Sequence, residues 1–234
     1  MNIIVTGASK GLGFATVKAF AEDTDHQIIA VSRNRKLLDQ LKNECLEKNP
    51  QAKVFPLALD LVSSDLLMEL LPFVRQHFQS LDILINNAGL LINEPVTELS
   101  DADFDRIFDT NVKTVFKLVR DLKPVFSKGS HIVNISSMGG FQGSVKFPGL
   151  SLYSASKGAL AVFTECLAEE LKAFGISVNC LAIGAVQTEM LQEAFPGYKA
   201  PLNPDQMAGY LKEFAQTGHH YFNGKILPVS LSTP

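Results

Sequence analysis

Seven short apolar runs alternate with longer stretches of helical spacing, and no other feature of the sequence limits the fold as strongly. The runs occupy residues 3–5, 28–31, 54–59, 83–85, 132–135, 178–183 and 226–229. They are rich in Ile and Val and bounded by Gly, Asp or Asn, the pattern of buried strands. In the stretch from Ser100, the residues Phe104, Ile107, Phe108, Val112, Val115 and Val119 fall on one helical face. Ser100 with Asp103 three positions later predicts a capping box, with Asp in place of Glu. Strand–helix alternation along the whole chain predicts a parallel sheet with helices on both faces, a doubly wound α/β fold.

Two prolines constrain the strand order. Pro56 lies inside the third run and Pro228 inside the last. Proline donates no ladder hydrogen bond, so both runs are expected at the edges of the sheet. A seven-stranded sheet ordered 3-2-1-4-5-6-7 places them there. No repeat, low-complexity tract or linker interrupts the 234 residues, so one domain over 1–234 is expected.

Composition removes several classes of function. Hydrophobic residues make up 46% and charged residues 19%, too apolar a balance for disorder. Lys+Arg 21 against Asp+Glu 24 gives a net charge of −3 with no basic cluster, which argues against a nucleic-acid partner. No apolar run approaches the roughly 18 residues of a membrane span. The opening residues lack the charged start and long apolar stretch of a signal peptide, and a cytoplasmic location is expected. Cys45, Cys166 and Cys180 form no CxxC, so neither a disulfide framework nor a metal site is expected. His219-His220 has no acidic neighbour in sequence and is read as solvated; the sixteen phenylalanines are read as core packing.

The first run leads directly into Thr6-Gly7-Ala8-Ser9-Lys10-Gly11-Leu12-Gly13, and helical spacing follows. Glycines here allow a tight turn and close approach of a phosphate to backbone N–H groups at a helix start. The spacing is GxxxGxG, and no GK[ST] follows, so this is not a Walker loop. By itself it also fits a plain βα connection. About 20 residues after such a turn, an NAD binder places Asp or Glu against the ribose hydroxyls. Here the second strand ends Ser32-Arg33-Asn34-Arg35, with no carboxylate. Ser32 and Arg33 instead suit a 2′-phosphate, with Lys10 adding a nearby positive charge. NADP is therefore expected over NAD, and an ordinary solvated basic loop is the competing reading.

Tyr153 and Lys157, four apart at the opening of a helical stretch, share one face. A free tyrosine has a pKa of about 10, and a nearby ammonium lowers it. Ser136-Ser137 and Asn87-Ala88-Gly89 each follow an apolar run, at the carboxyl ends of strands where open α/β sheets bind ligands. Asn111 falls on the apolar stripe of its helix, where a buried amide needs partners; it also fits a satisfied core position.

Together, TGASKGLG, NNAG, Asn111 within DTNV, the NISS strand end and YSASK resemble the short-chain dehydrogenase/reductase family. The motifs stand in family order and cover the chain to about residue 190. The resemblance implies a Rossmann-type fold, a nicotinamide cofactor, and hydride transfer between it and a carbonyl or secondary alcohol. It implies a tetrad of Asn111, Ser137, Tyr153 and Lys157. Tyr153 is the implied general acid. Lys157 is implied to lower its pKa and to bind the nicotinamide ribose. Ser137 is implied to donate to the substrate oxygen, and Asn111 to hold a proton-relay water. Gly7, Gly11 and Gly13 are implied to shape the pyrophosphate turn, with Ser9 in it and Leu12 packed beside it. Asp60 and Leu61 match the adenine contact, Asn87, Ala88 and Gly89 the cofactor cleft, and Ile183, Gly184 and Thr188 the far side of the cofactor site.

Three departures stand out. Ile183-Gly184 replaces the family's Pro-Gly after the sixth strand. Sixteen positions separate Ser137 from Tyr153, a few more than usual, and the extra length in 139–149 is expected to form a wall of the substrate pocket or a surface insertion. The closing Asp-Gly-Gly is missing after Asn223-Gly224. Residues 184–206 occupy the place of a mobile substrate lid, and their apolar side chains suit a hydrophobic substrate. The stretches 104–126 and 153–174 match those through which family members pair, so a homodimer or homotetramer is expected. The function expected is NADP-dependent carbonyl reduction of a small molecule. The alternatives are a non-catalytic NADP sensor on the same fold, or an NAD-dependent alcohol or sugar dehydrogenase.

Overall fold

Each of the seven apolar runs forms a strand: β1 (Asn2–Thr6), β2 (Gln27–Ser32), β3 (Lys53–Ala58), β4 (Leu81–Asn86), β5 (Phe126–Ser137), β6 (Ser177–Ile183) and β7 (Ile226–Val229). The computed structural model describes residues 1–231. All strand pairs are parallel, in the order β3-β2-β1-β4-β5-β6-β7. Pro56 and Pro228 therefore sit in the two edge strands, opposite Ala30 and Ala182.

The helices are α1 (Gly11–Ala21), α2 (Arg35–Lys48), α3 (Leu70–His77), α4 (Asp101–Phe108), α5 (Thr114–Leu122), α6 (Ser151–Lys172), α7 (Glu189–Ala194) and α8 (Pro204–Thr217). The twofold alternation of side chains along each strand feeds two cores. Ile3 and Val5 pack with α1, α2 and α8 on one face, while Ile4 packs with α3, α5 and α6 on the other. Each such Ile, Leu or Val withdrawn from water contributes about 1.5–3 kcal/mol. The result is a Rossmann-type doubly wound fold. No helix among the described residues is long and apolar enough to cross a membrane.

The capping box at α4 is present: Ser100 Oγ accepts from Asp103 N at 3.2 Å, and Asp103 Oδ2 accepts from Ser100 N at 3.1 Å. The apolar stripe beyond it differs from expectation. Between α4 and α5 the helix widens at Asp109–Lys113, where the Thr114 N–H reaches back to the Asp109 carbonyl. The extra residue in that turn carries the buried side through Ile107, Asn111, Thr114 and Val115 and leaves Val112 half-buried. Phe104 overhangs the core, 46% exposed, and stacks on Phe108.

The core is aliphatic rather than aromatic. Of the sixteen phenylalanines only Phe20, Phe78 and Phe214 are buried, so core packing does not account for the rest. His219 also departs from its solvated reading. A short turn after α8 (Gly218–His220) folds it back onto β5, where its ring lies 5.4 Å from that of His131 and its Nδ1 is buried.

His131 itself is fully buried, its Nδ1 2.9 Å from the Ala215 carbonyl and its Nε2 3.0 Å from Asn179 Nδ2. An acceptor on one side and a donor on the other hold the neutral ring with its proton on Nδ1. Burial pushes its pKa down to about 4. Unfolded, the same ring takes its proton near about 6.5. Between those values the unfolded chain binds more protons, so stability is lost as pH falls from about 6.5 to about 4, by roughly 1.4 kcal/mol per unit. The thermal midpoint of His131→Gln is expected to fall less steeply than that of the native chain across this window; parallel slopes refute the assignment.

Candidate active site

A cleft of about 820 Å³ runs along the carboxyl ends of the strands. Its floor begins at the turn after β1. Gly7 (φ +67°) and Gly11 (φ +58°) adopt left-handed conformations that favour glycine. A Cβ on Gly13 would lie 2.5 Å from Asn87 Nδ2 and closer still to the Gly7 carbonyl oxygen, so α1 can seat against the strand end only without a side chain there. Thr6 Oγ1 accepts from Asn87 N at 3.0 Å and Ala88 N at 3.1 Å, and Asn87 Nδ2 donates to the Thr6 carbonyl at 2.9 Å. These bonds lock the ends of β1 and β4 together. Lys10, at the cap position of α1, makes no side-chain cap, which leaves the N–H groups of the helix start free of any side-chain acceptor. That cradle fits an anionic group approaching the backbone.

At the end of β2, Ser32 Oγ donates to Ser9 Oγ at 2.8 Å, and Arg33 is exposed on the cleft wall. Lys10 Nζ lies 3.7 Å from Glu193 Oε1 of α7. After β3, one oxygen of Asp60 is taken locally by Val62 N at 3.0 Å, and Leu61 is buried beside it. The donors present, glycine cradle at one place and Ser, Arg and Lys at another, suit a dinucleotide.

The two serines closing β5 part ways. Ser136 Oγ donates inward to the Lys157 carbonyl at 2.9 Å, while Ser137 is half-buried on the cleft and accepts from Gly139 N at 3.1 Å. Tyr153 and Lys157 project from the first turns of α6. Lys157 Nζ donates to the Ile135 carbonyl at 2.8 Å and lies 5.9 Å from the Tyr153 ring centroid. Burial pushes the Lys157 ammonium down to about 8, with Cys180 acting the other way. The Tyr153 phenol is pushed up by burial, with a hydrogen bond to Ser137 pulling it down. Loss of water at the phenol thus outweighs the bond to Ser137.

Asn111 does not border the cleft. The widened turn places it behind Gly89, 1% exposed. Its Oδ1 accepts from Leu90 N at 2.7 Å, and its Nδ2 donates to the Leu90 carbonyl and to Ser156 Oγ, each at 2.9 Å. A Cβ on Gly89 would lie 3.4 Å from both Asn111 Oδ1 and Lys157 Nζ, so the amide and the ammonium flank the same glycine. Gly13 is likewise behind the surface; the other expected site residues all line the cleft. Ser156, the buried partner of Asn111, was not singled out in the sequence, and its place inside YSASK was the only signal.

The far wall is built from Ile183, Gly184 and Thr188. Gly184 is required where it meets Ser230, whose side chain occupies the space a Cβ would need. Thr188 caps α7 through Leu191 N at 3.3 Å and turns its methyl toward Gly11. Of the 139–149 loop, Gly139 and Phe147 reach the cleft.

A family model described as short chain dehydrogenase matches residues 1–199. Oxidoreductase BOA17 of Botryotinia fuckeliana (strain B05.10) is 32% identical over 187 residues, 79% of this chain; the chain spans 65% of that relative's length. The 3-oxoacyl-(acyl-carrier-protein) reductase FabG of Thermotoga maritima is 32% identical over 192 residues, 81% of this chain and 76% of the relative. Among solved structures, a dehydrogenase/reductase from Sinorhizobium meliloti 1021 superposes with a TM-score of 0.86 at 27% identity, covering 97% of this chain and 92% of the other.

Proposed function

The chain belongs to the short chain dehydrogenase family, and on that premise we propose that it is an NADP(H)-dependent oxidoreductase that reduces a carbonyl group. The observation that carries this reading is the convergence of Ser137, Tyr153 and Lys157 on the same cleft as the glycine turn and Arg33. The reductase name of the Thermotoga relative supports the reductive direction.

The residues that would hold the cofactor are Gly7 to Gly13 at its pyrophosphate, Ser32, Arg33 and Lys10 at its 2′-phosphate, Asp60 and Leu61 at its adenine, and Lys157 at its nicotinamide ribose. When bound, NADPH supplies the hydride. Tyr153 holds a proton on its phenol oxygen, and burial keeps that proton in place at neutral pH. A protonated phenol is the state a general acid needs to deliver a proton to the carbonyl oxygen. Ser137 donates to the same oxygen and stabilises the charge that builds on it. Lys157 sits beside Gly89 and Asn111 with its ammonium destabilised by burial, which makes it a ready proton source for resupplying Tyr153. Asn111, fully engaged with Leu90 and Ser156, holds the widened helix turn against the site. Residues 184–206 act as the lid, and the exposed Phe116 and Val162 of α5 and α6 supply an apolar face for pairing of two copies.

Parallel fluorescence titrations with NADPH and NADH test the reading. NADPH is expected to bind at least about tenfold more tightly. Arg33→Ala is expected to weaken NADPH binding by about 1.5–3 kcal/mol, the worth of a charge-assisted hydrogen bond, while leaving NADH unchanged. Equal binding of the two nucleotides removes the specificity assignment, and binding of neither removes the catalytic one.

A further inference from the structure

Three segments close over the reacting end of the cleft, and they are tied to one another. Asn93 Nδ2 donates to the Ala194 carbonyl at 2.7 Å, joining the chain after β4 to the lid helix. Glu94 N donates to the Gly149 carbonyl at 3.0 Å, joining it to the long loop after Ser137. Phe147 of that loop meets Phe195 of the lid edge-on, ring centroids 6.4 Å apart at 65°.

The side chains these segments bring to the cleft are almost entirely apolar. Met138 and Leu150 form a buried base, 4% and 5% exposed. Met190, Phe147, Phe195 and Tyr198 form the walls, and Phe147 and Tyr198 remain 37% and 48% exposed. Among the described residues these segments bring one carboxylate to the cleft, Glu189, whose Oε2 lies at the glycine turn, 3.5 Å from where a Cβ on Gly11 would stand, and they contribute no lysine or arginine. Lys146 is held away, bonded to the Phe141 carbonyl and Ser144 Oγ at 2.7 Å each. The Thr188 hydroxyl oxygen accepts from Leu191 N in capping α7. A carboxylate or phosphate seated against these segments gains no cation from them, and the cleft's Arg106 and Lys157 are already engaged, with Asp103 and with the Ile135 carbonyl; a polyhydroxyl compound meets few partners for its hydroxyls. Half-exposed aromatic surface in a concave site instead favours an apolar guest.

We propose that the substrate is an uncharged ketone bearing an aromatic or alicyclic ring, seated against the Phe147–Phe195 pair with its carbonyl at Tyr153 and Ser137. This rests on the carbonyl-reductase reading above. A ring against two edge-on phenyl groups gains both burial and favourable ring geometry.

The test compares acetophenone with its para-carboxylate, 4-acetylbenzoate, with fructose and with an acetoacetyl thioester, all followed by NADPH oxidation. Acetophenone is expected to exceed 4-acetylbenzoate in kcat/KM by about a hundredfold, because the closing segments offer the carboxylate no cation in place of its water. Phe147→Ala and Phe195→Ala are each expected to raise KM for acetophenone about tenfold while changing KM for butanone by less than about twofold. Saturation-transfer NMR reads ring contact without turnover, and both variants are expected to weaken the signal. Higher efficiency with 4-acetylbenzoate, fructose or the thioester overturns the substrate class and leaves the reductase reading standing. Equal effects of the variants on acetophenone and butanone overturn it as well. If no ketone is reduced but acetophenone shows ring contact that both variants weaken, the reductase reading fails and the ligand class stands; absence of that contact overturns the class.

Discussion

Tyr153→Phe is expected to lower kcat for ketone reduction by about 10²–10⁴-fold. The substitution removes one oxygen and keeps the ring, so the packing at the start of α6 is preserved. NADPH affinity is expected to stay within about twofold and the thermal midpoint to be unchanged. The size of the effect follows from what is left behind. Ser137 still faces the cleft and would still donate to the substrate oxygen, but Tyr153 carries the one hydroxyl that α6 brings to the cleft lining among the described residues. Burial raises the Tyr153 pKa, so the native phenol carries its proton at neutral pH, and that proton is what the variant lacks. Single-turnover kinetics with saturating NADPH separates chemistry from binding. A variant that keeps more than about a tenth of the native rate excludes Tyr153 as the proton donor.

Gly13→Ala is expected to damage stability and nucleotide binding together. The added methyl carbon has nowhere to go: the Gly7 carbonyl and Asn87 Nδ2 both lie inside contact distance, and the first of these is backbone. Overpacking of this kind costs about 1–3 kcal/mol, which for a chain of this size lowers the thermal midpoint by several degrees. The same displacement pushes α1 off the end of β1, so the N–H groups of the helix start no longer converge where a phosphate would sit. NADPH affinity is expected to fall at least about tenfold. Gly129→Ala serves as the comparison. Gly129 also has positive φ, but a Cβ there meets nothing within 4 Å, so its cost is conformational alone and nucleotide binding should survive. Equal loss of affinity in both variants contradicts the cradle argument.

The architecture was readable because it rests on periodicity. Seven Ile- and Val-rich runs and two prolines determine strand number and edges, and each run found its strand. The capping box of α4 was readable for the same local reason. What could not be read depends on contacts between distant segments. The widened turn at 109–113 carries no glycine or proline to announce it, and it shifts the buried side so that Asn111 lies behind Gly89 and Val112 is only half-buried. The packing of His219 against His131 depends on how the chain folds back after α8, which hydropathy does not encode. At the candidate site, the motif residues lie where their order along the chain implied, because each follows a strand end. The apolar rim was only partly visible. Residues 139–149 and 184–206 stood out by length and composition, but the choice of Phe147 and Phe195 as the pair that meets was made by tertiary packing.

The two edge prolines bear on how this protein behaves in concentrated solution. In β7, the carbonyls of Lys225 and Val229 accept from Cys180 and Gly184 on the β6 side, so by the twofold repeat Ile226 and Pro228 face outward. In β3, Leu59 donates to Ser32 of β2, which by the same repeat turns Pro56 outward. At each rim, then, a position that would offer an N–H to a passing strand offers a ring instead. A second chain docking edge to edge meets a broken row of donors at both rims, so seven parallel strands cannot readily become fourteen. Replacing both prolines would leave the cleft as it is and give misfolded or heated material a template along which to polymerise.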